Sequence, residues 1–280
     1  MILIFGATGN VGRHLVRQLT DVGHDVRAIT RKPDDAALPP TVDVRFGDLD
    51  QPDTLPAVLD GADAVFLLNA GSQPAAVAEA IAAADVRRVV FMSALVARTR
   101  PDVAISQIHL RTEDALQRRD LGVTVLQPGQ FASNALQWSE MIARGTVYSP
   151  FADTAIPTID PYDVAAVAAL VLTAADDHHV GQTYPLTGPA ISPRQRTAVL
   201  AEVLDRPIGF AELTAEQARQ QMLASAPPAV VDSMLEMFGA PSAVEREELP
   251  TVQELLGREP RDFAAWVREN RDLLEGRGRS

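Results

Sequence analysis

The sequence predicts an α/β fold built on a doubly wound parallel β-sheet, with a smaller substrate-binding lobe in the C-terminal half. Two observations favour this class. Short apolar runs alternate four times with helix-like patterns within about the first 90 residues, which is the order that parallel strands and crossover helices require. The first run, at residues 2–5, leads through glycines at 6, 9 and 12 into a helix-like spacing of apolar residues, which is typical of a nucleotide-binding unit.

The glycine-rich loop at 6–12 is the predicted phosphate site. Gly6 can adopt backbone angles closed to other residues, Gly9 allows the main chain to approach a ligand, and Gly12 allows the helix to pack against the strand. The loop amides lie at a helix N-terminus, where hydrogen bonds and the helix dipole stabilise a pyrophosphate. A plain turn is the alternative, but the flanking strand and helix favour nucleotide binding. The residues expected to contact the cofactor are Gly6, Thr8, Gly9, Asn10, Val11 and Gly12.

The second predicted strand, at 24–30, ends in the basic pair Arg31 and Lys32. The residue at this place meets the adenosine ribose, where a carboxylate suits the 2'-hydroxyl of NAD and a cation suits the 2'-phosphate of NADP. Because no carboxylate follows the strand before Asp34, the pair predicts NADP(H) as the preferred cofactor, with NAD(H) as the alternative. The basic pair could also be an exposed turn that binds nothing.

Further strands are predicted at 42–46, 64–68, 88–92 and 123–126, the last preceded by an amphipathic helix at 105–119. Ligands bind outside the carboxyl ends of parallel strands, so the segments that follow these strands are expected to line the cofactor site. The residues placed there are Asn69, Ala70 and Gly71 after the fourth strand and Ser93 after the fifth.

Beyond about residue 128 the alternation of strands and helices is lost. Helices are predicted at 131–143, 161–172, 193–204, 214–224 and 227–238, and short strands at 156–159 and 183–186. We therefore expect a nucleotide-binding domain at 1–128 and a mixed segment at 129–280. This segment is expected to return to the nucleotide-binding core over about 156–182 and to build the smaller lobe elsewhere.

Composition excludes several classes of function. The 280 residues include no cysteine, which excludes disulfides and cysteine nucleophiles, and the net charge of −12 argues against a nucleic-acid surface. No apolar run reaches the roughly 18 residues of a membrane span, and the first residues already form a strand, so we expect a cytoplasmic protein without a signal peptide or membrane segment. The adjacent His178 and His179 are expected to form a solvated turn, and no metal site is predicted.

The loop Gly6-Ala-Thr-Gly-Asn-Val-Gly12 resembles the Rossmann-type loop of extended and atypical short-chain dehydrogenases/reductases. The NmrA-like group is the most similar, because its sixth strand usually ends in Leu-Arg-Pro-Gly. This chain has Leu126-Gln127-Pro128-Gly129, so Gln127 replaces the arginine, and residues 256–267 resemble the last NmrA-like helix. The resemblance implies that Asp48 and Leu49 contact the adenine, although Asp48 could also cap a helix.

Short-chain reductases that use acid–base chemistry have a tyrosine as proton donor and a lysine four residues later, which lowers the pKa of the tyrosine and binds the ribose. With Glu113 setting the register, Ile105 stands at the tyrosine position and His109 at the lysine position. Lys32 is the single lysine of the chain, so no tyrosine has a lysine four residues later. The usual proton relay is therefore absent.

The resemblance implies a cluster at the nicotinamide end of the cofactor, in which Ser93 and His109 are the catalytic candidates. Together with Pro128 they are also expected to contact the cofactor, while Phe131 and Asn134 are expected to contact the substrate. His109 could instead be a hydrogen-bonded core residue, and Ser93 could cap the strand that precedes it.

The resemblance implies an NAD(P)H-dependent oxidoreductase that transfers hydride to a flat apolar acceptor. A quinone-like or aromatic polyketide-like acceptor would supply through its own electronics what the missing Tyr–Lys pair does not. The alternatives are an NADP(H)-binding redox sensor that reports to a protein partner, and a monooxygenase-type enzyme that oxygenates a reduced aromatic substrate. Sugar-nucleotide epimerisation is disfavoured because it needs the missing pair. The expected partner is a small aromatic molecule, with neither nucleic acid nor a membrane involved.

Arg31→Ala tests the basis of cofactor choice. A charge-assisted contact to the 2'-phosphate is typically worth about 1.5–3 kcal/mol, so the substitution should weaken NADPH binding by about one to two decades and leave NADH binding nearly unchanged. Calorimetric dissociation constants measure both effects. Equal affinity of the unsubstituted protein for NADH and NADPH would contradict the prediction.

Overall fold

The computed structural model describes residues 1–119 and 121–277, and the chain folds into two compact units. Unit 1 contains three segments of the chain, Met1–Pro101, Ser106–Pro128 and Pro161–Leu186. Unit 2 contains Asp102–Ile105, Gly129–Asp160 and the chain from Thr187 onward. The segment of the second half that belongs to unit 1 thus runs over 161–186, which differs at both ends from the expected 156–182.

None of the helices in the described residues combines the length and the apolar character that a membrane crossing requires.

Strands and helices are numbered here in chain order. The strands are β1 (Ile2–Phe5), β2 (Val26–Thr30), β3 (Asp43–Phe46), β4 (Ala64–Leu67), β5 (Arg88–Met92), β6 (Val123–Pro128), β7 (Gln130–Phe131), β8 (Thr146–Ser149), β9 (Ile156–Ile159), β10 (Thr183–Leu186), β11 (Ala190–Ile191) and β12 (Gly209–Glu212). The α-helices are α1 (Gly12–Asp21), α2 (Leu55–Leu59), α3 (Pro74–Ala83), α4 (Leu95–Thr99), α5 (Ala104–Gln117), α6 (Ser139–Ala143), α7 (Pro161–Thr173), α8 (Pro193–Val203), α9 (Ala215–Met222), α10 (Pro228–Gly239), α11 (Thr251–Leu256), α12 (Phe263–Glu269) and α13 (Arg271–Leu274). Short 3-10 helices lie at Pro33–Asp35, Pro52–Thr54, Ala132–Trp138 and Val244–Arg246.

The central sheet of unit 1 has the order β3-β2-β1-β4-β5-β6-β10, and every neighbouring pair is parallel. Helices α1 and α7 pack together on one face, while α2, α3 and α5 contribute to the core on the other face. Strands β1 and β4 are buried along their whole length because both faces of the sheet are covered. The predicted doubly wound α/β class is confirmed.

The strand order reverses between β1 and β4, so the loops that follow these two strands leave the sheet in opposite directions. A doubly wound sheet binds its ligand in the crevice at this reversal, outside the carboxyl ends of the strands. The glycine loop at 6–12 follows β1 and the segment at 68–73 follows β4. The topology thus places both predicted cofactor segments at the carboxyl ends of two neighbouring central strands.

Unit 2 has two small sheets, one of order β11-β9-β7 and one that pairs β12 with β8. Its core contains the stacked rings of Phe263 and Trp266, whose centroids lie 5.6 Å apart. Helix α8 begins with a capping box, in which the hydroxyl of Ser192 accepts from the amide of Gln195 and the side chain of Gln195 accepts from the amide of Ser192. Helix α8 packs against α12 and so contributes Leu200 to the core.

The prediction of a helix over 131–143 was wrong in its first part. Phe131 belongs to β7, and Ala132–Trp138 is a 3-10 helix that only becomes α-helical at Ser139. Ala132 and Ala135 are both buried, and their spacing of three residues places them on one side of a 3-10 helix. The burial of two small side chains therefore favours the tighter helix.

The C-terminal helix expected over 256–267 is divided into α11 and α12. Gly257 adopts a left-handed conformation with a φ of 66° after the last residue of α11, which ends that helix. Pro260 follows, and Asp262 caps α12 by accepting from the amide of Ala265.

The prediction that His178 and His179 form a solvated turn was wrong for His179. His178 is exposed, but His179 is buried, and its Nδ1 lies 2.8 Å from the hydroxyl of Tyr184 on β10. His179 therefore anchors the turn to the outermost strand of the sheet. No group of side chains in the described part of the chain has the arrangement of a metal site.

Val65→Ala should lower the free energy of unfolding by about 2–3 kcal/mol, because it removes two methyl groups from the fully buried strand β4 and leaves a cavity. Val22→Ala is the matched control, since Val22 is 72% exposed at the end of α1 and its substitution should change stability by less than about 0.5 kcal/mol. Urea unfolding of both variants measures the difference. Equal losses would contradict the buried position of β4.

Candidate functional site

The glycine loop has a backbone that side chains at two of its positions would disrupt. Gly6 has a φ of +70°, and its carbonyl accepts a hydrogen bond of 2.9 Å from the amide of Gly9. A Cβ atom at Gly12 would lie 2.1 Å from the same carbonyl oxygen, and one at Gly9 would lie 3.1 Å from it. The start of α1 is therefore held against the end of β1 at a distance that only glycine permits.

The loop fits the phosphates of a dinucleotide. The first turn of α1 contains no acidic side chain, so no negative charge opposes the positive end of the helix dipole. Thr8 and Gly9 are exposed, and Gly9 has no side chain between its backbone and a ligand. Cofactor contacts by Gly6, Thr8, Gly9, Asn10, Val11 and Gly12 stay predictions.

Hydrogen bonds connect the segment after β3 to the segment after β4. The amide of Ser72 donates to the Asp50 carboxylate at 2.7 Å, and the side chain of Gln73 donates to the Asp50 carbonyl at 3.3 Å. The Asn69 side chain accepts from the amide of Gly71 at 2.8 Å, and a Cβ atom at Gly71 would lie 2.8 Å from the Leu49 carbonyl. Asn69, Gly71 and Leu49, which the sequence proposed as cofactor contacts, thus belong to one connected structure, and Ala70 is buried within it.

Asp48 caps its own loop. One carboxylate oxygen accepts from the amide of Asp50 at 3.0 Å, and the other accepts from the side chain of Gln51 at 3.2 Å. The alternative role considered for Asp48 was to cap a helix. Asp48 instead caps the loop before the helix, because Gln51 is the N-cap residue of the 3-10 helix that follows. A cofactor contact by Asp48 stays a prediction.

The basic pair after β2 is exposed, as a 2'-phosphate site requires. Lys32 lies 4.0 Å from the carboxylate of Asp35. The amide of Ser72 lowers the pKa of Asp50, and the positive charge of Arg31 adds a smaller effect of the same sign.

Ser93 is fixed at the end of β5 by two hydrogen bonds. Its amide donates to the Leu126 carbonyl at 2.8 Å, and its hydroxyl donates to the Glu113 carboxylate at 2.5 Å. Ser93 is only 3% exposed. Glu113 was used in the sequence only to set the register of α5, and its position four residues after His109 is the signal that both side chains share one helix face.

His109 lies on α5 beside Phe91, with the ring centroids 6.5 Å apart. Its Nδ1 atom is buried and has no hydrogen-bond partner among the described residues. Burial lowers the pKa of His109, so the imidazole is neutral at neutral pH. The residue at the position of the family lysine therefore offers a polar atom without a positive charge. Ile105, at the position of the tyrosine, is 49% exposed.

Gln127 is a second buried polar residue near the end of a strand. It is 5% exposed, and its Oε1 atom has no hydrogen-bond partner among the described residues. Pro128 ends the same strand and is also buried. The sequence identified Gln127 only as the replacement of an arginine, which is the signal that could have marked it as a site residue.

Unit 2 contains a cavity of about 410 Å³. Asn134, proposed as a substrate contact, lies on its wall, and Arg196 is the charged residue among the described side chains that line it. Phe131 belongs to β7 of the same unit and is not one of the described lining residues. The sequence did not single out Arg196, because two arginines in one helix, here Arg194 and Arg196, are not a distinctive pattern.

The comparison with known proteins identifies the family. A family model described as NAD(P)H-binding matches residues 6–175, which include the glycine loop and both segments that line the crevice. The chain belongs to this NAD(P)H-binding family. It is 39% identical, over 98% of its length and 99% of the relative, to (4-alkanoyl-5-oxo-2,5-dihydrofuran-3-yl)methyl phosphate reductase of Streptomyces griseus. It is 33% identical, over 96% of its length and 97% of the relative, to NAD(P)H azoreductase of Xenophilus azovorans.

Solved structures agree with this family. The NADPH-dependent quinone oxidoreductase QOR2 of Escherichia coli superimposes with a TM-score of 0.80 at 26% identity, over 96% of this chain and 99% of that chain. NmrA, a negative transcriptional regulator, has the same fold, with a TM-score of 0.78 at 19% identity over 100% of this chain and 98% of that chain. The predicted likeness to NmrA is confirmed for the fold, and the chain is an NAD(P)H-dependent reductase.

Gly9→Val should weaken NADPH binding at least about tenfold, because a branched side chain would occupy the space through which a pyrophosphate reaches the loop amides. The fold should persist, since Gly9 does not have a positive φ and its Cβ contact of 3.1 Å needs only a small shift. Gly209→Val is the control, because a Cβ atom there meets its nearest neighbour at an ordinary 3.5 Å. Calorimetry measures NADPH affinity, and unchanged affinity of Gly9→Val would contradict the role of the loop.

Proposed function

We propose that the chain reduces a flat, electron-poor conjugated acceptor, such as a quinone, by hydride transfer from NADPH without a tyrosine–lysine relay. One observation carries this proposal. The residue at the lysine position, His109, is half-buried and neutral, and its Nδ1 atom lacks a partner among the described residues. It can orient a ligand through a hydrogen bond but cannot supply the charge that acidifies a tyrosine.

The choice of acceptor follows from the missing acid. An isolated ketone becomes a strongly basic alkoxide when it accepts a hydride, so its reduction needs a nearby proton donor. A quinone that accepts a hydride becomes a delocalised phenolate, which is much less basic and can take its proton from water. When bound, the reduced nicotinamide supplies the hydride, and the acceptor gains that hydride and one proton. Proximity and orientation are then the main contributions of the protein.

The residues of this chain divide these tasks. The glycine loop at 6–12 holds the pyrophosphate, and Arg31 with Lys32 holds the 2'-phosphate. His109 orients the nicotinamide ribose or the acceptor. The bond between Ser93 and Glu113 holds the end of β5 in place, so that Ser93 acts mainly as a positioning residue. Asn134 and Phe131 stay the predicted substrate contacts.

The relatives support a common type of substrate. The relatives from Streptomyces griseus and Xenophilus azovorans are named as a reductase of a furanone phosphate and an azoreductase, and QOR2 is named as a quinone oxidoreductase. A furanone that carries an oxo and an alkanoyl group, an azo group and a quinone are all conjugated acceptors of two electrons. This shared property favours an acceptor that is reduced without a strong protein acid.

NADPH oxidation with defined acceptors tests the proposal. We expect steady loss of NADPH absorbance with 1,4-naphthoquinone and with 2-methyl-1,4-naphthoquinone, and no loss with cyclohexanone, which has no conjugation. An equal rate with cyclohexanone would show that the protein supplies an acid that was not recognised. Tight NADPH binding without oxidation by any quinone would support the redox-sensor alternative.

His109→Ala should lower quinone turnover by about 10- to 100-fold while changing the NADPH dissociation constant by less than about threefold, because an orienting contact acts mostly in the transition state. His24→Ala is the matched control, since His24 is exposed in the loop before β2 and should affect neither quantity. Stopped-flow hydride transfer and calorimetry measure the two quantities separately. Reduced thermal stability with unchanged turnover would show that His109 is a core residue.

A further inference from the structure

Arg196 is buried in the cavity of unit 2, and none of the described residues gives it a carboxylate partner. The side chain extends from α8 and is only 4% exposed. No ion pair joins it to an acidic side chain of the described residues, and its Nε atom is buried without a hydrogen-bond partner there. Full burial of a guanidinium is rare in proteins unless the charge is paired.

Neutral groups hold part of the guanidinium. Its Nη2 atom donates to the side-chain oxygen of Gln130 at 2.8 Å and to the hydroxyl of Thr158 at 2.5 Å. The guanidinium carbon lies 5.9 Å from the centroid of the Phe263 ring. These contacts orient the fork of the side chain, but none of them neutralises its charge.

The charge persists despite the burial. Burial lowers the pKa of Arg196 to about 10, so the side chain is still a cation at neutral pH. Arg194, two residues earlier on the same helix, shows the usual arrangement. It is exposed and forms two hydrogen bonds to the Asp153 carboxylate, at 2.9 and 3.2 Å. Within the described part of the chain, Arg196 therefore lacks the counter-charge that its exposed neighbour has.

The rest of the cavity wall suits an apolar ligand body. Aromatic, methionine and leucine side chains form much of it, and Gln130 is one of the amides that interrupt them. Because Arg196 holds the amide oxygen of Gln130, the amide nitrogen of Gln130 is left as a second donor on the wall. The apolar residues that line the cavity include Trp138, Met141, Phe151, Met222, Met234 and Phe238.

We propose that this cavity binds an organic anion, with Arg196 and Gln130 receiving a carboxylate or phosphate group and the apolar wall receiving its hydrophobic body. A guanidinium binds either anion through paired hydrogen bonds, and the low dielectric of the cavity strengthens the contact. The inference goes beyond the proposed function, because it concerns a ligand of unit 2 alone. Binding of the anion itself does not depend on that function.

Redox-inert probes test the cavity independently of turnover. Calorimetry without NADPH would compare 2-naphthyl phosphate and 2-naphthoate with the neutral 2-naphthamide. We expect at least one anion to bind wild-type protein about 10- to 100-fold more tightly than the amide does. Tighter binding of the phosphate ester identifies a phosphate site, and tighter binding of the naphthoate identifies a carboxylate site. Equal binding of both anions and the amide overturns the proposal.

Substitutions assign the preference to one side chain. R196Q should abolish the preference for the anion, while R194Q, which removes a similar charge from the same helix, should keep it. Retained preference in R196Q overturns the proposal. If R196Q shows no thermal unfolding transition, R196K keeps the charge but loses the planar fork, and the anion preference should fall about three- to tenfold. An unchanged preference in folded R196K would also overturn it.

The outcome is separable from that of the proposed function. Anion binding that depends on Arg196, together with no quinone reduction, would support this cavity and refute the reductase mechanism. Quinone reduction without anion binding would refute the anion site and support the reductase mechanism.

Discussion

The contact between the Gly6 carbonyl and the backbone at Gly12 is the constraint on which unit 1 depends. It brings the N-terminus of α1 against the end of β1, so one short loop determines the direction of the helix and the position of the phosphate site. The strands of the sheet are parallel, so the carboxyl ends of the other strands lie at the same end of the sheet as this loop. At Gly12, therefore, the packing of the helix and the position of the proposed phosphate site share one steric requirement, whereas Gly9 can be changed with a smaller effect on the backbone.

The sheet of unit 1 could be predicted because its pattern is local. Strands β1, β4 and β5 are short apolar runs that α-helices follow, and the glycine spacing is readable without knowledge of any tertiary contact. Unit 2 was harder to predict, because β8 and β12 are four-residue strands with mixed polarity, and pairing rather than sequence pattern defines them. The 3-10 helix at Ala132–Trp138 likewise depends on how small side chains pack.

The site residues divide in the same way. The loop glycines and the absence of the tyrosine–lysine pair follow from residue identity, whereas the state of a polar group depends on its neighbours. Nothing in the sequence distinguishes Ser93, whose hydroxyl is bound by Glu113, from His109, whose Nδ1 atom has no partner among the described residues. Arg194 and Arg196 look alike in the sequence. Their different burial distinguishes Arg194, which forms a surface ion pair, from Arg196, which has no acidic partner among the described residues.

The outermost strand of the sheet has a consequence for synthesis on the ribosome. Strand β10 pairs with β6 but is translated only after residues 129–160, which belong to unit 2. At about 5–20 residues per second, β6 therefore waits several seconds with an unpaired edge. Such an edge can pair with other nascent chains. The nucleotide-binding unit is thus completed late, and a chaperone that shields β6 during this interval would act on a topological feature of the fold.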